Sequence, residues 1–129
     1  MQEPFIALIE DDQDDVAILT ECFKKYDSFS IKNFTSGQEF LDAPLNGSLP
    51  CLIVIDLNLP DIRGIQLVDH IKANPVIADV PIIIYTTDYT RNEQATCEEL
   101  KIRLLKKPDT YIDWDKIALM MAQHCDTSL

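Results

Sequence analysis

The sequence predicts an α/β fold, with five strand–helix units doubly wound into a parallel sheet that carries helices on both faces. Three observations carry that prediction. Short β-rich runs alternate with longer helical patterns along the 129 residues. Three of those runs are continuously apolar, as expected of strands buried on both faces of a parallel sheet. Acidic or polar residues stand directly after several runs, at the carboxyl ends where such sheets gather their functional groups.

The first strand is expected over Phe5–Ile9, and it runs into Glu10, Asp11 and Asp12. A helix follows from Asp14 to Tyr26, with Val16, Leu19 and Phe23 at helical spacing. Asp14 and Asp15 read as first-turn charges that complement the helix dipole, and Asp12 as close to the site without being a ligand. The second strand is Phe29–Phe34. Ser36 then opens a helix with Glu39 three residues on, a capping-box pattern. The third strand, Cys51–Ile55, ends at Asp56. Its helix runs from about Gly64 to Lys72, with Leu67, Val68 and Ile71 on one face, and stops before Pro75, because the residue before proline disfavours helical geometry. The fourth strand, Val80–Thr86, precedes a short polar helix, Arg91 to Leu100. The fifth, Ile102–Leu105, leads to a last helix that starts near Asp113 and buries Trp114, Ile117, Ala118 and Met121. Right-handed crossovers distribute these helices over both faces.

The length fits one domain, residues 1–129, with no room for an output module after the last helix. No apolar run is long enough to cross a membrane, and the N-terminus lacks the pattern of a signal peptide. A cytoplasmic protein without membrane insertion is expected. The formal net charge of −11 argues against nucleic-acid binding and suits cations or basic partner surfaces. None of the four cysteines forms a Cys-x-x-Cys pair or has zinc-site spacing with histidine. Cys22, Cys51 and Cys125 lie in apolar patterns and read as core thiols of a reducing compartment. His70 and His124 stand alone in helical stretches and are assigned no chemistry.

Glu10, Asp11, Asp56, Thr86 and Lys107 all follow strand candidates, so the fold brings them to one edge of the sheet. Three clustered carboxylates repel, which raises a pKa unless something compensates. A divalent cation removes that penalty, and oxygen-only ligands favour Mg²⁺. Lys107 supplies a compact positive charge for a phosphate oxygen and Thr86 a hydroxyl donor. Phosphoryl transfer needs this set: an in-line nucleophile, a cation and positioned donors. Asp56, at the end of the most central apolar strand, is the nucleophile candidate.

These residues, in the strings IEDD, DLNLPDIRG, IIIYTT and KKP, resemble the receiver domain of bacterial response regulators, in the stand-alone single-domain form used in chemotaxis. A proline four residues and a glycine eight residues after Asp56 complete the pattern. The resemblance implies a flavodoxin-like three-layer sandwich with strand order 2-1-3-4-5. It implies that Asp56 is the phosphoacceptor, in a domain that phosphorylates and dephosphorylates itself rather than acting as a conventional enzyme. Asp11 and Asp56 would ligate Mg²⁺ by side chain, Asn58 by its backbone carbonyl and Glu10 through a water. Lys107 and Thr86 would bind phosphoryl oxygens, and the Lys107–Pro108 peptide would be cis. The implied partners are a sensor histidine kinase or histidine phosphotransfer protein as donor and a downstream protein target, with the chain a monomer or a weak phosphorylation-dependent dimer. Asn58 and Asp88 would flank the path of attacking water and tune the phosphoryl lifetime.

The chain departs from the family where the output lies. The aromatic residue usual three positions before the lysine is Leu104, and the usual Gly-Ala pair before the fifth strand is missing. The signalling face would include Arg91, Glu98, Lys101, Arg103 and Lys106, switching by smaller shifts than usual. Two alternatives within the family remain: a phosphorylation-independent binding receiver, and a relay intermediate that passes the phosphoryl group onward. A small-substrate phosphohydrolase lacks its Asp-x-Asp pair, because Asp56 is followed by Leu57 and Asn58. A nucleotide switch lacks a glycine-rich loop after the first strand.

Overall fold

Alternate residues of each strand face opposite layers, and this parity organises the molecule. The structure, a computed structural model, describes residues 3–45 and 47–129. Its strands are β1 (Phe5–Ile9), β2 (Ser30–Phe34), β3 (Leu52–Asp56), β4 (Ile82–Thr86) and β5 (Arg103–Lys106). All neighbours pair in parallel, in the order β2-β1-β3-β4-β5. The expected fold class and strand order are therefore observed.

The helices are α1 (Gln13–Phe23), α2 (Gly37–Asp42), α3 (Gly64–Ala73), α4 (Arg91–Glu99) and α5 (Tyr111–Ala122). One core layer joins Ile6, Leu8, Leu52, Val54, Ile83 and Tyr85 to Leu19 of α1 and to Trp114, Ala118 and Met121 of α5. The other joins Ala7, Ile9, Ile53, Ile55, Ile82 and Ile84 to Phe40 of α2, Leu67 and Ile71 of α3 and Cys97 of α4. The central strands β1, β3 and β4 are buried along their whole length, which explains their unbroken apolar runs. Edge strand β2 is only partly buried and reads as a mixed sequence.

Element boundaries move by one to three residues. Strand β2 starts at Ser30, and Phe29 remains a buried core residue just ahead of it. Helix α1 ends at Phe23, three residues short of Tyr26. Helix α5 starts at Tyr111 because the Thr110 hydroxyl accepts from the Asp113 N–H and caps it. Asp12 caps α1 by accepting from the Asp14 and Asp15 N–H groups. The capping box expected at Ser36 is half formed: Ser36 accepts from Glu39 N–H, while Glu39 reaches the Thr35 N–H and hydroxyl. A complete box forms instead at Thr90 and Glu93, opening α4.

The cysteine reading needs correction. Cys51 and Cys125 form a disulfide, with Cα atoms 5.3 Å apart, rather than standing as separate thiols. Their sequence separation of 74 conceals that the residue before β3 and the one just past α5 meet at one end of the sheet. Cys22 and Cys97 are free and buried, and burial, with Asp115 nearby, pushes the Cys22 thiol up to about 11, so it is held unreactive. No helix among the described residues is long and apolar enough to cross a membrane.

Candidate functional site

The parity that builds the core also builds the site. On the layer facing α1 and α5, Ile6 and Leu8 are followed by Glu10, Leu52 and Val54 by Asp56, Ile83 by Tyr85, and Leu105 by Lys107. Each is the next same-face residue at the carboxyl end of its strand. The register pairs Asp56 directly with Tyr85. On the opposite layer, Ile82 and Ile84 are followed by Thr86. Asp56 is thus approached from two sides by two different sets of groups.

On the first side the groups are buried. Glu10 is fully buried and Asp56 is 5% exposed. The Lys107 ammonium lies 2.7 Å from Glu10 Oε1, 2.8 Å from Asp15 Oδ2 and 3.1 Å from Asp56 Oδ2. Burial would lower the lysine, but Asp15, Glu10 and Asp56 outweigh it and hold Lys107 above its ordinary range. Burial lifts the Glu10 carboxyl to about 7, against the lowering effect of Lys107 and Tyr85. Each shift follows from taking charges out of water and setting them beside one another.

One oxygen each of Glu10, Asp11 and Asp56 lie within 4.8 Å of one another. Such an all-oxygen set suits a hard divalent cation. Asp11 is exposed while Glu10 is buried, so the two adjacent acids are differently placed for direct ligation and for holding a water. Asn58 donates its backbone N–H to Asp56 Oδ1 at 3.2 Å, fixing the carboxylate from the loop that follows β3.

On the second side a buried threonine leads into a chain that opens toward the surface at Arg63. The Thr86 hydroxyl donates to the Asp88 carbonyl at 3.1 Å and accepts from Asn58 Nδ2 at 3.3 Å. Asn58 Oδ1 accepts from Arg63 Nη1 at 3.0 Å, and Arg63 pairs with Glu93 in the capping box of α4. Burial works against the Glu93 carboxylate, but the Thr90 N–H and Arg63 hold it below its ordinary range.

Gly64, where α3 begins, supports the floor of the site. A Cβ there would lie 2.9 Å from the Asp56 carbonyl oxygen and 2.9 Å from Leu57 Cα. The glycine is needed for this close backbone approach.

The structure therefore brings Glu10, Asp11, Asp56, Asn58, Thr86 and Lys107 together. Arg91, Glu98, Lys101, Arg103 and Lys106 are all exposed, and Leu104 packs partly buried on the core beneath α4. Two sequence readings change. Asp15 is an ion-pair partner of Lys107 rather than only a helix charge. No described peptide bond is cis, so Lys107–Pro108 is trans; trans is the isomer favoured locally by about 0.5–1 kcal/mol, and the Lys107 ammonium reaches all three carboxylates in this form. Sequence reasoning missed Tyr85 and Arg63. Tyr85 sits in an apolar string and passes for core, although strand parity places it on the face of Asp56. Arg63 carries no sequence signal that separates it from a surface arginine.

Comparison with known proteins agrees with this geometry. The family described as the response regulator receiver domain matches residues 6–110. The chain belongs to that family. Among curated relatives, the receiver is 27% identical over 104 residues to response regulator Rcp1 of Synechocystis, covering 75% of this chain and 71% of that protein. It is 32% identical over 79 residues to the transcriptional regulatory protein SrrA of Staphylococcus aureus, covering 61% of this chain but only 31% of that protein. Among solved structures, a receiver domain from Rhodospirillum rubrum aligns with TM-score 0.76 and 26% identity over 92% of this chain and 93% of that one. The phosphorylated cyanobacterial phytochrome response regulator RcpA aligns with TM-score 0.83 and 18% identity over 99% and 97%. The Mn²⁺-bound form of Rcp1 aligns with TM-score 0.81 and 23% identity over 96% and 96%. The receiver is thus a module of two-component signalling, and it carries the acidic pocket at which such domains bind a divalent cation.

Proposed function

We propose that the receiver accepts a phosphoryl group on Asp56 from a phosphohistidine donor and thereby changes its affinity for a partner protein. The observation that carries this reading is the convergence on Asp56: two further carboxylates within 4.8 Å and a lysine ammonium at 3.1 Å, at the carboxyl edge of a parallel sheet. The donor is a sensor histidine kinase or a histidine phosphotransfer protein.

An Asp56 carboxylate oxygen attacks phosphorus in line. The new O–P bond forms as the N–P bond to the donor imidazole breaks, and the imidazole leaves with that electron pair. Lys107 is placed to bind a phosphoryl oxygen in exchange for its Asp56 contact. Thr86 can turn its hydroxyl from the Asp88 carbonyl to another phosphoryl oxygen. Asp11, Asp56 and the Asn58 carbonyl would hold Mg²⁺, with Glu10 on a bound water, and the cation would supply charge neutralisation for the transferred group. Hydrolysis of the acyl phosphate returns Asp56, and Asn58 and Asp88 flank the approach of water. The exposed surface of Arg91, Glu98, Lys101, Arg103 and Lys106 is the proposed partner face.

Incubation with acetyl phosphate and Mg²⁺ tests the chemistry by mass spectrometry. One added phosphoryl group that requires Mg²⁺ and disappears in Asp56→Asn is expected. A folded, Mg²⁺-bound wild type with no adduct would instead favour a binding module that works without phosphorylation.

A further inference from the structure

We propose that Tyr85 is a positioning residue of the acceptor site, whose buried hydroxyl holds Glu10 so that one carboxylate oxygen stays free for the cation's water. The inference rests on the phosphoacceptor reading above and extends it to a residue outside the acidic, threonine and lysine set.

The geometry is specific. Tyr85 and Glu10 are both fully buried. The phenol donates to Glu10 Oε1 at 2.7 Å. Lys107 Nζ approaches the same oxygen at 2.7 Å, and that ammonium stands 4.9 Å from the centre of the Tyr85 ring. With Oε1 taken by two donors, Oε2 has, among the described residues, only the Asp12 N–H at 3.4 Å. It is the oxygen left to accept from a metal-bound water.

Three constraints make this more than core packing. Tyr85 lies directly across the sheet from Asp56. Trp114 of α5 packs edge-on against its ring, with centroids 6.3 Å apart, which fixes the ring and so the direction of the hydroxyl. Lys107 already serves Asp15 and Asp56 as well as Glu10, so without Tyr85 a single, shared ammonium would be left on Glu10 Oε1. A phenylalanine would fill the same space without supplying this bond. Groups that orient a metal's ligands typically change its affinity by about 10–100-fold when removed.

The test compares wild type, Tyr85→Phe, Glu10→Gln and the double variant. Mg²⁺ affinity is read from amide shifts in NMR titrations, and loading is read with acetyl phosphate over a range of Mg²⁺ concentrations. Tyr85→Phe should weaken Mg²⁺ binding about tenfold and raise half-saturating Mg²⁺ equally, with the loading rate at saturating Mg²⁺ within about twofold of wild type. In the Glu10→Gln background it should add nothing, because the two residues act as one unit. Equal Mg²⁺ affinity in wild type and Tyr85→Phe would overturn the inference, as would an additive effect in the double variant. A wild type that binds Mg²⁺ yet takes no phosphoryl group defeats the phosphoacceptor reading instead, which separates the two failures.

Discussion

The two flanks of Asp56 are built on opposite principles. Toward α1 and α5 stand Glu10, Tyr85, Asp15 and Lys107, closely packed, with the lysine side chain only 9% exposed. Toward α3 and α4 stand Thr86, Asn58, Arg63 and Glu93, where the Arg63 side chain is 54% exposed and Asn58 and Asp88 face solvent. In the buried flank each lost partner leaves a charge out of water, so the arrangement is costly to disturb. In the open flank the Thr86 hydroxyl is buried, but the Arg63 bonds lie at the surface and are exchanged for water at a net cost of about 0.5–1.5 kcal/mol. The first flank suits fixed chemistry, and the second suits rearrangement. The Thr86–Asn58–Arg63–Glu93 chain, joined to Asp56 through the Asn58 N–H, also reaches the first turn of α4 without using residue 104.

The largest expected effect breaks the buried flank. Lys107→Met leaves Glu10, Asp15 and Asp56 without their shared cation, and should lower stability by about 3 kcal/mol in Mg²⁺-free urea titrations. Loading with acetyl phosphate should fall by about a hundredfold or more, as for the loss of a preorganised charge at the reacting group. Unchanged stability would show that the buried flank is not held by its charges.

A smaller effect sharpens the role of the open flank. Arg63→Ala should change stability by no more than about 0.5 kcal/mol, as for an exposed site. Freed from Arg63, Asn58 no longer holds one orientation against Thr86. The dephosphorylation rate should shift by about two- to fivefold, the equivalent of roughly 0.5–1 kcal/mol. A stability loss as large as that of Lys107→Met would erase the distinction between the flanks.

The smallest effect concerns pH. Glu93 is held below its ordinary value in the folded protein. Its contribution is therefore present above the unfolded carboxylate pKa and lost as pH falls through the lower folded value. The stability difference between wild type and Glu93→Gln should be constant near neutrality and shrink only in acid, below the ordinary 4.5. A difference that changes between pH 6 and pH 8, read from urea midpoints, would contradict the assignment.

Much of this was legible in the chain. Apolar runs marked the central strands because these are buried on both faces, and the acids, Thr86 and Lys107 stood at strand ends that the fold must bring together. Edge strand β2 and the limits of α1 and α5 were less legible, because partial burial and single capping bonds leave weak patterns. Sequence alone thus determined the fold class, the proposed acceptor and the charged set around it, since these depend on periodicity and on position within each element. Only the tertiary structure decided which groups meet across elements. It joined Cys51 to Cys125, set Asp15 on Lys107, aimed the Tyr85 hydroxyl at Glu10 and tied Arg63 to Glu93. Those pairings depend on strand register and on which face each residue takes, and local sequence patterns do not encode distances between residues far apart in the chain.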